Sequence, residues 1–137
     1  MIYLDSNILI YAFSKNVDTQ EQQTKSIKIF EKLISKNKLC ISDIALYEFA
    51  FVSQKIKEQS GNIKNNLDFL KRYSLPTNQI IRNRAINIMN ELNLYKNSFD
   101  CFHLAHAENY CEKIYTFDLG FKKLSQIATI EIEILKC

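Results

Sequence analysis

The segment IYLDSNILI, residues 2–10, places three apolar residues before a polar step and a second apolar run. The first three residues suit a short buried strand, and Asp5, Ser6 and Asn7 can each cap a helix that follows. Residues 8–13 then predict a buried helix. A buried strand that runs directly into a helix is typical of α/β proteins, so we take this segment as the first unit of such a fold.

The same alternation of short apolar strands and helices continues along the chain. Apolar residues at helical spacing, with Lys and Glu on the opposite side, mark the helices, and short apolar runs mark the strands. We predict further strands at residues 39–41, 113–117 and 130–134, and further helices at residues 19–37, 42–52, 63–70, 80–92 and 99–111, with Ser42 and Ser98 as helix caps. This order predicts a three-layer α/β/α sandwich with a central parallel sheet.

The composition fits a single domain that spans residues 1–137. The hydrophobic fraction of 47% is enough for a core that needs neither disulfides nor a structural metal. Two Gly and one Pro are too few for an all-β fold rich in tight turns. The net charge of +3 is compatible with a partner that carries phosphates, but it does not require one.

The cysteines and the N-terminal residues indicate a cytoplasmic protein. Four Cys residues are spaced too irregularly for a zinc motif, and we interpret them as reduced core residues: Cys40, Cys101, Cys111 and Cys137. The first residues lack the basic and apolar regions of a signal peptide. No window reaches the roughly 18–20 apolar residues that a membrane span needs. We therefore expect a cytoplasmic location and no membrane partner.

Four carboxylates lie at or near the predicted strand ends, where α/β folds form their sites. They are Asp5 after the first strand, Glu48 in the helix after the second, Asp100 in the first turn of a later helix, and Asp118 after the third strand. Each lies in an otherwise apolar stretch, where a carboxylate needs a partner. Brought together, the four would repel one another and raise their pKa values, and a divalent cation would remove that conflict. Oxygen ligands favour Mg²⁺ or Mn²⁺.

Each carboxylate also has a simpler interpretation. Asp5 can cap a helix, and Asp100 can complement a helix dipole. Asp118 can form a turn with Gly120, and Glu48 can reach solvent from the edge of its helix. Taken singly, these interpretations are the stronger ones. The joint placement of all four at strand ends in one α/β order favours a common site.

The histidines and basic residues receive simpler interpretations as well. His103 lies one turn beyond Asp100 and could reach a substrate, but we interpret it as a polar residue on the flank of a packed helix. His106 forms no recognisable zinc spacing with the nearby Cys residues. Six basic residues could contact phosphates, although scattered basic residues usually form a solvated surface: Lys55, Lys57, Lys71, Arg72, Arg82 and Arg84.

Four segments of the chain resemble the sequence blocks of PIN-domain ribonucleases. Residues 2–10 resemble the opening Asp-Thr/Ser-Asn step after a hydrophobic strand, and residues 41–49 resemble the Ser-started helix that carries a Glu. Residues 100–107 are similar to the Asp followed by an Ala-rich helix, and residues 116–121 to the hydroxyl and Asp at a strand end. The blocks follow the family's order through nearly the whole chain. One departure is Gly120, where many relatives have a further acidic residue, and it weakens the expectation of a second tightly held metal.

The resemblance implies hydrolysis of RNA phosphodiester bonds with Mg²⁺ or Mn²⁺ as the cofactor, leaving a 5′-phosphate and a 3′-hydroxyl. The implied catalytic residues are Asp5, Glu48, Asp100 and Asp118, the implied metal ligands are Asp5, Asp100 and Asp118, and the implied supporting residues are Asn7 and Thr116. Glu48 would either complete the metal cluster or orient the attacking water. Asn7 and Thr116 would hold carboxylates and waters in place.

Single-domain PIN proteins of this length resemble VapC-type toxins of toxin–antitoxin pairs. That resemblance implies a homodimer, a cognate antitoxin protein over the acidic groove, and an RNA substrate such as tRNA or rRNA. Two alternatives stay open: a catalytically inactive PIN-like module that binds RNA or protein, and a receiver-like signalling domain. The complete set of four acids argues against the first alternative. The second would need adjacent acids near the first strand and a phosphoacceptor Asp after the middle strand, and neither is evident.

Overall fold

The computed structural model describes residues 1–136, and within that range it contains one four-stranded sheet. In chain order the strands are β1 (Ile2–Leu4), β2 (Leu39–Cys40), β3 (Lys113–Thr116) and β4 (Glu131–Ile134). Their order across the sheet is β2-β1-β3-β4, and every neighbouring pair is parallel. Since β1 lies between β2 and β3, the residue that follows it stands near the middle of the carboxyl edge of the sheet.

Helices connect the strands. They are α1 (Ser6–Phe13), α2 (Gln20–Ser35), α3 (Asp43–Lys55), α4 (Ser60–Leu70), α5 (Gln79–Leu92) and α6 (Ser98–Tyr110), with short 3₁₀ turns at Lys71–Tyr73, Tyr95–Asn97 and Leu119–Leu124. Ser42 caps α3 as predicted, because its Oγ accepts a hydrogen bond from Ala45 N at 3.1 Å. The prediction that Ser98 caps the last helix is wrong. Ser98 already has helical backbone angles, since the preceding 3₁₀ turn runs directly into α6.

Two apolar layers cover the two faces of the sheet. Successive side chains of a strand point to opposite faces, and β1 shows this with Tyr3 and Leu4, both fully buried. The layer around Tyr3 includes Ile81 and Ile88 of α5, Leu104 of α6 and Ile114 of β3. The layer around Leu4 includes Ile8 and Leu9 of α1, Phe30 of α2, Phe49 of α3 and Leu70 of α4. The predicted α/β/α sandwich with a central parallel sheet is therefore confirmed.

The strand ends and the cysteines follow the sequence predictions with small differences. Ile41 lies beyond β2 and forms an isolated bridge with Ser74, and Phe117 lies beyond β3. The described cysteines are buried as predicted, namely Cys40, Cys101 and Cys111, and Cys137 lies outside the described residues.

No helix among residues 1–136 has both the length and the apolar character that crossing a bilayer requires.

Candidate metal centre at the carboxyl edge of the sheet

Asp5 is the buried carboxylate around which the candidate site is built. It follows β1 directly and is the N-cap of α1, where its Oδ1 accepts a hydrogen bond from Ser6 N at 2.7 Å. Its Oδ2 accepts a second hydrogen bond from Thr116 Oγ1 on β3, also at 2.7 Å. The side chain keeps only 5% of its surface exposed. The helix-cap interpretation of Asp5 is thus true, but the cap is buried and shared with a neighbouring strand.

Asn7 and Thr116 hold this carboxylate in place. Asn7 Nδ2 lies 3.4 Å from Asp5 Oδ2 and 3.3 Å from Thr116 Oγ1, while Asn7 Oδ1 accepts a hydrogen bond from Phe117 N at 3.4 Å. Thr116 is fully buried. The two residues that the sequence suggested as supporting residues therefore contact Asp5 directly, and they tie the end of β3 to the start of α1.

Glu48 and His103 bring two further elements to the same point. Glu48 lies on α3, with 29% of its side chain exposed, and His103 lies on α6, with 1% exposed. His103 Nε2 is 2.6 Å from Glu48 Oε1 and 3.8 Å from Asp5 Oδ1. The interpretation of His103 as a residue on the flank of its helix is wrong, because its ring is buried and its Nε2 faces two carboxylates. A signal was present in the sequence, since a histidine in an apolar helix, three residues after Asp100, shares the face of that acid.

A chain of hydroxyl groups supports the other side of the His103 ring. The Tyr3 hydroxyl is hydrogen-bonded to His103 Nδ1 and, at 2.7 Å, to Ser42 Oγ. Ser42 is also the N-cap of α3, the helix that carries Glu48. The chain therefore links β1, α3 and α6 beneath the site, and Tyr3, Ser42 and His103 are all buried.

Asp100 and Asp118 lie on the outer side of the centre. Asp100 is partly buried in the first turn of α6, as predicted. Asp118 is exposed, and its Oδ1 accepts a hydrogen bond from Gly120 N at 2.8 Å, which is the turn that the simpler interpretation described. Asp118 N also donates to Thr116 Oγ1 at 3.0 Å. Both acids thus stay near the centre, but Asp118 is engaged in a local turn.

The pKa values follow from burial and from the balance of charges. Burial raises the pKa of Asp5, and the charge of Glu48 adds to the rise, although His103 and the Thr116 hydroxyl oppose it. Burial also raises the pKa of Asp100, to about 6, and the charges of Asp5 and Asp118 add to the rise. The predicted repulsion among the acids is therefore found at Asp5 and Asp100.

Glu48 behaves differently because of its histidine partner. Burial alone would raise its pKa, but the hydrogen bond and charge of His103 outweigh that effect and lower it. Burial alone would lower the pKa of His103, but its hydrogen bond to Glu48 and the charges of Asp5, Glu48 and Asp100 raise it. The expectation that all four acids have raised pKa values is therefore wrong for Glu48.

The arrangement can hold a divalent cation. Among residues 1–136, Asp5, Glu48 and His103 are the group whose ligand atoms all lie within 4.8 Å of one another. Carboxylate oxygens and imidazole nitrogen are ligands that such cations accept, and the negative charges of Asp5 and Asp118, which act on Asp100, would favour a positive charge here. Of the predicted ligands, Asp5 belongs to this group, and Asp100 and Asp118 flank it.

A cavity opens beside Glu48. It has a volume of about 620 Å³ and is lined by Ser6, Ile44, Tyr47, Glu48, Phe51, Val52 and Phe99. Three of its aromatic side chains are largely exposed: Tyr47 at 66%, Phe51 at 69% and Phe99 at 59%. Of Asp5, Glu48 and His103, Glu48 is therefore the one that faces open space, whereas Asp5 and His103 are buried.

Comparison with known proteins gives one family and a shared fold. The family model described as PIN domain matches residues 2–127. A chain in the crystal structure of VapBC2 from Rickettsia felis, bound to a DNA fragment from their promoter, is 24% identical, with a TM-score of 0.68 over 99% of this chain and 100% of that chain. A chain of FitAcB from Neisseria gonorrhoeae is 16% identical, with a TM-score of 0.67 over 96% of both chains. At these identities the two structures establish similarity of fold. A search of curated proteins gave no significant match.

Proposed function

The chain belongs to the PIN domain family, whose members are generally nucleases, and from this premise we propose that it is an endoribonuclease that depends on Mg²⁺ or Mn²⁺. The observation that carries the proposal is the buried Asp5 carboxylate, which lies beside Glu48 and within the electrostatic reach of Asp100. We further propose that the catalytic residues are Asp5, Glu48, Asp100 and Asp118, within one domain that spans residues 1–137.

The side chains support a division of roles. Ser6, Asn7 and Thr116 fix both oxygens of Asp5, so this carboxylate is an ordered ligand. Asp100 has a pKa of about 6 and is ionised at neutral pH, so its charge is available to a cation. A bound Mg²⁺ or Mn²⁺ would lower the pKa of a coordinated water and polarise the phosphoryl group. Glu48 borders the open cavity, where it can orient a water against a phosphate.

We propose that the protein acts as the toxin of a toxin–antitoxin pair. The shared fold with chains of VapBC2 and FitAcB, over nearly the full length of each chain, supports this proposal. On this proposal the partners are a cognate antitoxin protein and an RNA such as tRNA or rRNA, and the active form is a cytoplasmic homodimer. The apolar cavity beside Glu48 offers room for a partner chain next to the acidic centre.

The test is RNA cleavage by the purified protein with and without a divalent cation. We expect cleavage in Mn²⁺ or Mg²⁺, none in excess chelator, and products with 5′-phosphates. Asp5→Asn should lower cleavage by more than about 100-fold, because it removes an ordered anionic ligand. Asp68→Asn, which changes an exposed acid in a surface ion pair on α4, is the matched control and should leave cleavage unchanged.

Three results would separate the alternatives. Full cleavage by the Asp5→Asn protein would remove Asp5 from the site. Equal cleavage in chelator would show a metal-free ribonuclease. Binding of RNA without cleavage in either cation would show an inactive PIN-like module.

A further inference from the structure

His103 is placed where both of its ring nitrogens face polar groups inside the protein. Its side chain is 1% exposed, and its Nε2 lies 2.6 Å from Glu48 Oε1 and 3.8 Å from Asp5 Oδ1. Nε2 therefore faces the space between the Asp5 and Glu48 carboxylates. A buried imidazole in this position can either form a hydrogen bond with the two acids or bind a cation together with them.

The hydroxyl chain beneath the ring can serve either role. Ser42 can donate to the Tyr3 oxygen while Tyr3 donates to Nδ1, and then Nε2 carries the proton and donates to Glu48. The chain can also run in reverse, so that Nδ1 donates to Tyr3 and Tyr3 donates to Ser42 Oγ. The reverse order leaves the Nε2 lone pair free. Histidines that bind metals usually donate their other ring N–H to an acceptor in this way.

We propose that His103 Nε2 is a ligand of the divalent cation, which makes the centre a mixed oxygen and nitrogen site of Asp5, Glu48 and His103. The inference rests on the proposed function, since that function requires a bound cation. Glu48 and His103 then take the places of Asp100 and Asp118 in the expected ligand set. Asp118 is exposed, and its Oδ1 accepts the hydrogen bond of the turn with Gly120. Asp100 then acts as a nearby negative charge.

Binding of the cation would displace a proton that Glu48 and His103 share. In the structure Glu48 Oε1 and His103 Nε2 are close enough to share a proton, and a cation between them would take that proton's place and release it to solvent. Glu48 can adjust to the change, since 29% of its side chain is exposed and it borders the cavity. His103 and Asp5 are buried and held by hydrogen bonds, so they form the fixed part of the site.

A nitrogen ligand changes which cations the centre prefers. Mg²⁺ and Ca²⁺ take oxygen ligands almost exclusively, whereas imidazole suits first-row transition ions. We therefore expect Mn²⁺ to bind more tightly than Mg²⁺ or Ca²⁺, and Co²⁺ or Ni²⁺ to bind more tightly than Mn²⁺.

Pulsed electron paramagnetic resonance of the full chain loaded with Mn²⁺ tests the inference without RNA. The sequence contains two histidines, so after removal of any purification tag a ¹⁴N imidazole coupling can arise only from His103 or His106. We expect this coupling in the unmodified protein, its loss in His103→Gln, and its retention in His106→Leu. His106 is the matched control because it is fully buried on the same helix, one turn further along.

Calorimetric titration with Mn²⁺ gives a second measurement. His103→Gln should weaken Mn²⁺ binding by at least about tenfold, with a smaller effect on Mg²⁺. Tyr3→Phe keeps the aromatic ring and removes the acceptor for Nδ1, and it should weaken Mn²⁺ binding by on the order of tenfold. An unchanged Mn²⁺ affinity in His103→Gln would overturn the inference.

The outcomes separate this inference from the proposed function. Mn²⁺ binding without ¹⁴N coupling in the unmodified protein overturns the role of His103, while RNA cleavage in Mn²⁺ would still support the nuclease. Coupling that persists in His103→Gln also overturns it. Cleavage of RNA in excess chelator, with no measurable Mn²⁺ binding, would reject both.

Discussion

Replacing Asp100 by Asn should stabilise the protein when no divalent cation is bound. Asp100 has a pKa of about 6, against an ordinary value of 3.8, because it is partly buried and faces Asp5 and Asp118. A shift of about two units corresponds to about 3 kcal/mol of unfavourable free energy for the charged form. Because the side chain is partly exposed, solvent screening reduces the expected gain to about 1–2 kcal/mol. For a chain of this size, that gain raises the melting temperature by roughly 3–7 °C.

The stability gain of Asp100→Asn should depend on pH. Between about pH 4 and pH 6 the folded protein holds a proton on Asp100 that the unfolded chain has lost, so this group makes the folded state less stable as the pH rises through that window. The Asn side chain cannot titrate. The stability gain of Asp100→Asn should therefore be absent below about pH 4 and complete above about pH 7.

Thermal and urea unfolding in excess EDTA, at pH 4 and at pH 8, measure this gain. Asp68→Asn is the control, since Asp68 is an exposed acid that pairs with Lys64 and Lys71 and should change stability by no more than about 0.5 kcal/mol. Saturating Mn²⁺ should reduce the difference in free energy of unfolding between Asp100→Asn and the unmodified protein, because the positive charge of the cation offsets the repulsion among the acids. A ligand at about 100 times its Kd raises the free energy of unfolding by about 2.7 kcal/mol. A gain of equal size at pH 4, or a loss at pH 8, would refute the repulsion argument.

Two further predictions concern buried polar groups. Thr116→Val keeps the shape of the side chain but removes the 2.7 Å hydrogen bond to Asp5 Oδ2, so unfolding in urea should show a loss of about 1.5–3 kcal/mol together with reduced RNA cleavage. A matched Thr24→Val change on the exposed face of α2 should cost far less. Burial lowers the pKa of His106 to about 4, and this fully buried ring stays neutral in the folded protein. The contribution of His106 to stability should therefore fall by about 2–3 kcal/mol between pH 6.5 and pH 4, and a His106→Leu protein that loses the same stability over this range would disprove the idea.

Much of the fold could be predicted because the signals are local. The apolar spacing of each segment predicted the helices and strands, and the strand–helix alternation predicted the parallel sandwich. Ser42 was identified as a cap because its hydroxyl bonds the backbone only three residues away, at Ala45. The error at Ser98 has a local cause too, since a 3₁₀ turn before the helix removed the need for a cap there.

Part of the site could be predicted because some of its residues also carry local signals. Asp5 follows a buried strand directly, so a strand end and a helix cap both mark it. Asn7 and Thr116 are predicted only through the resemblance to PIN-domain ribonucleases, and both lie within hydrogen-bond distance of Asp5. Asp118 could equally be recognised as a turn residue through Gly120, and the structure shows that turn. Their catalytic roles stay predictions. The spacing of His103 from Asp100 puts it on the face of that acid, but its contacts with Glu48 and Tyr3 come from elements 55 and 100 residues away along the chain, so the sequence does not show what its ring contacts.

The sequence by itself determined the order of the elements and the polar step after β1, because hydrogen bonds and side-chain periodicity within a few residues control both. Only the tertiary structure decided which acids meet. The order β2-β1-β3-β4 puts Asp5 between neighbouring strand ends, and the packing of α3 near α6 brings Glu48 within 2.6 Å of His103, 55 residues away along the chain. That contact depends on how helices pack on the sheet over the whole domain, and no local pattern encodes such a distance.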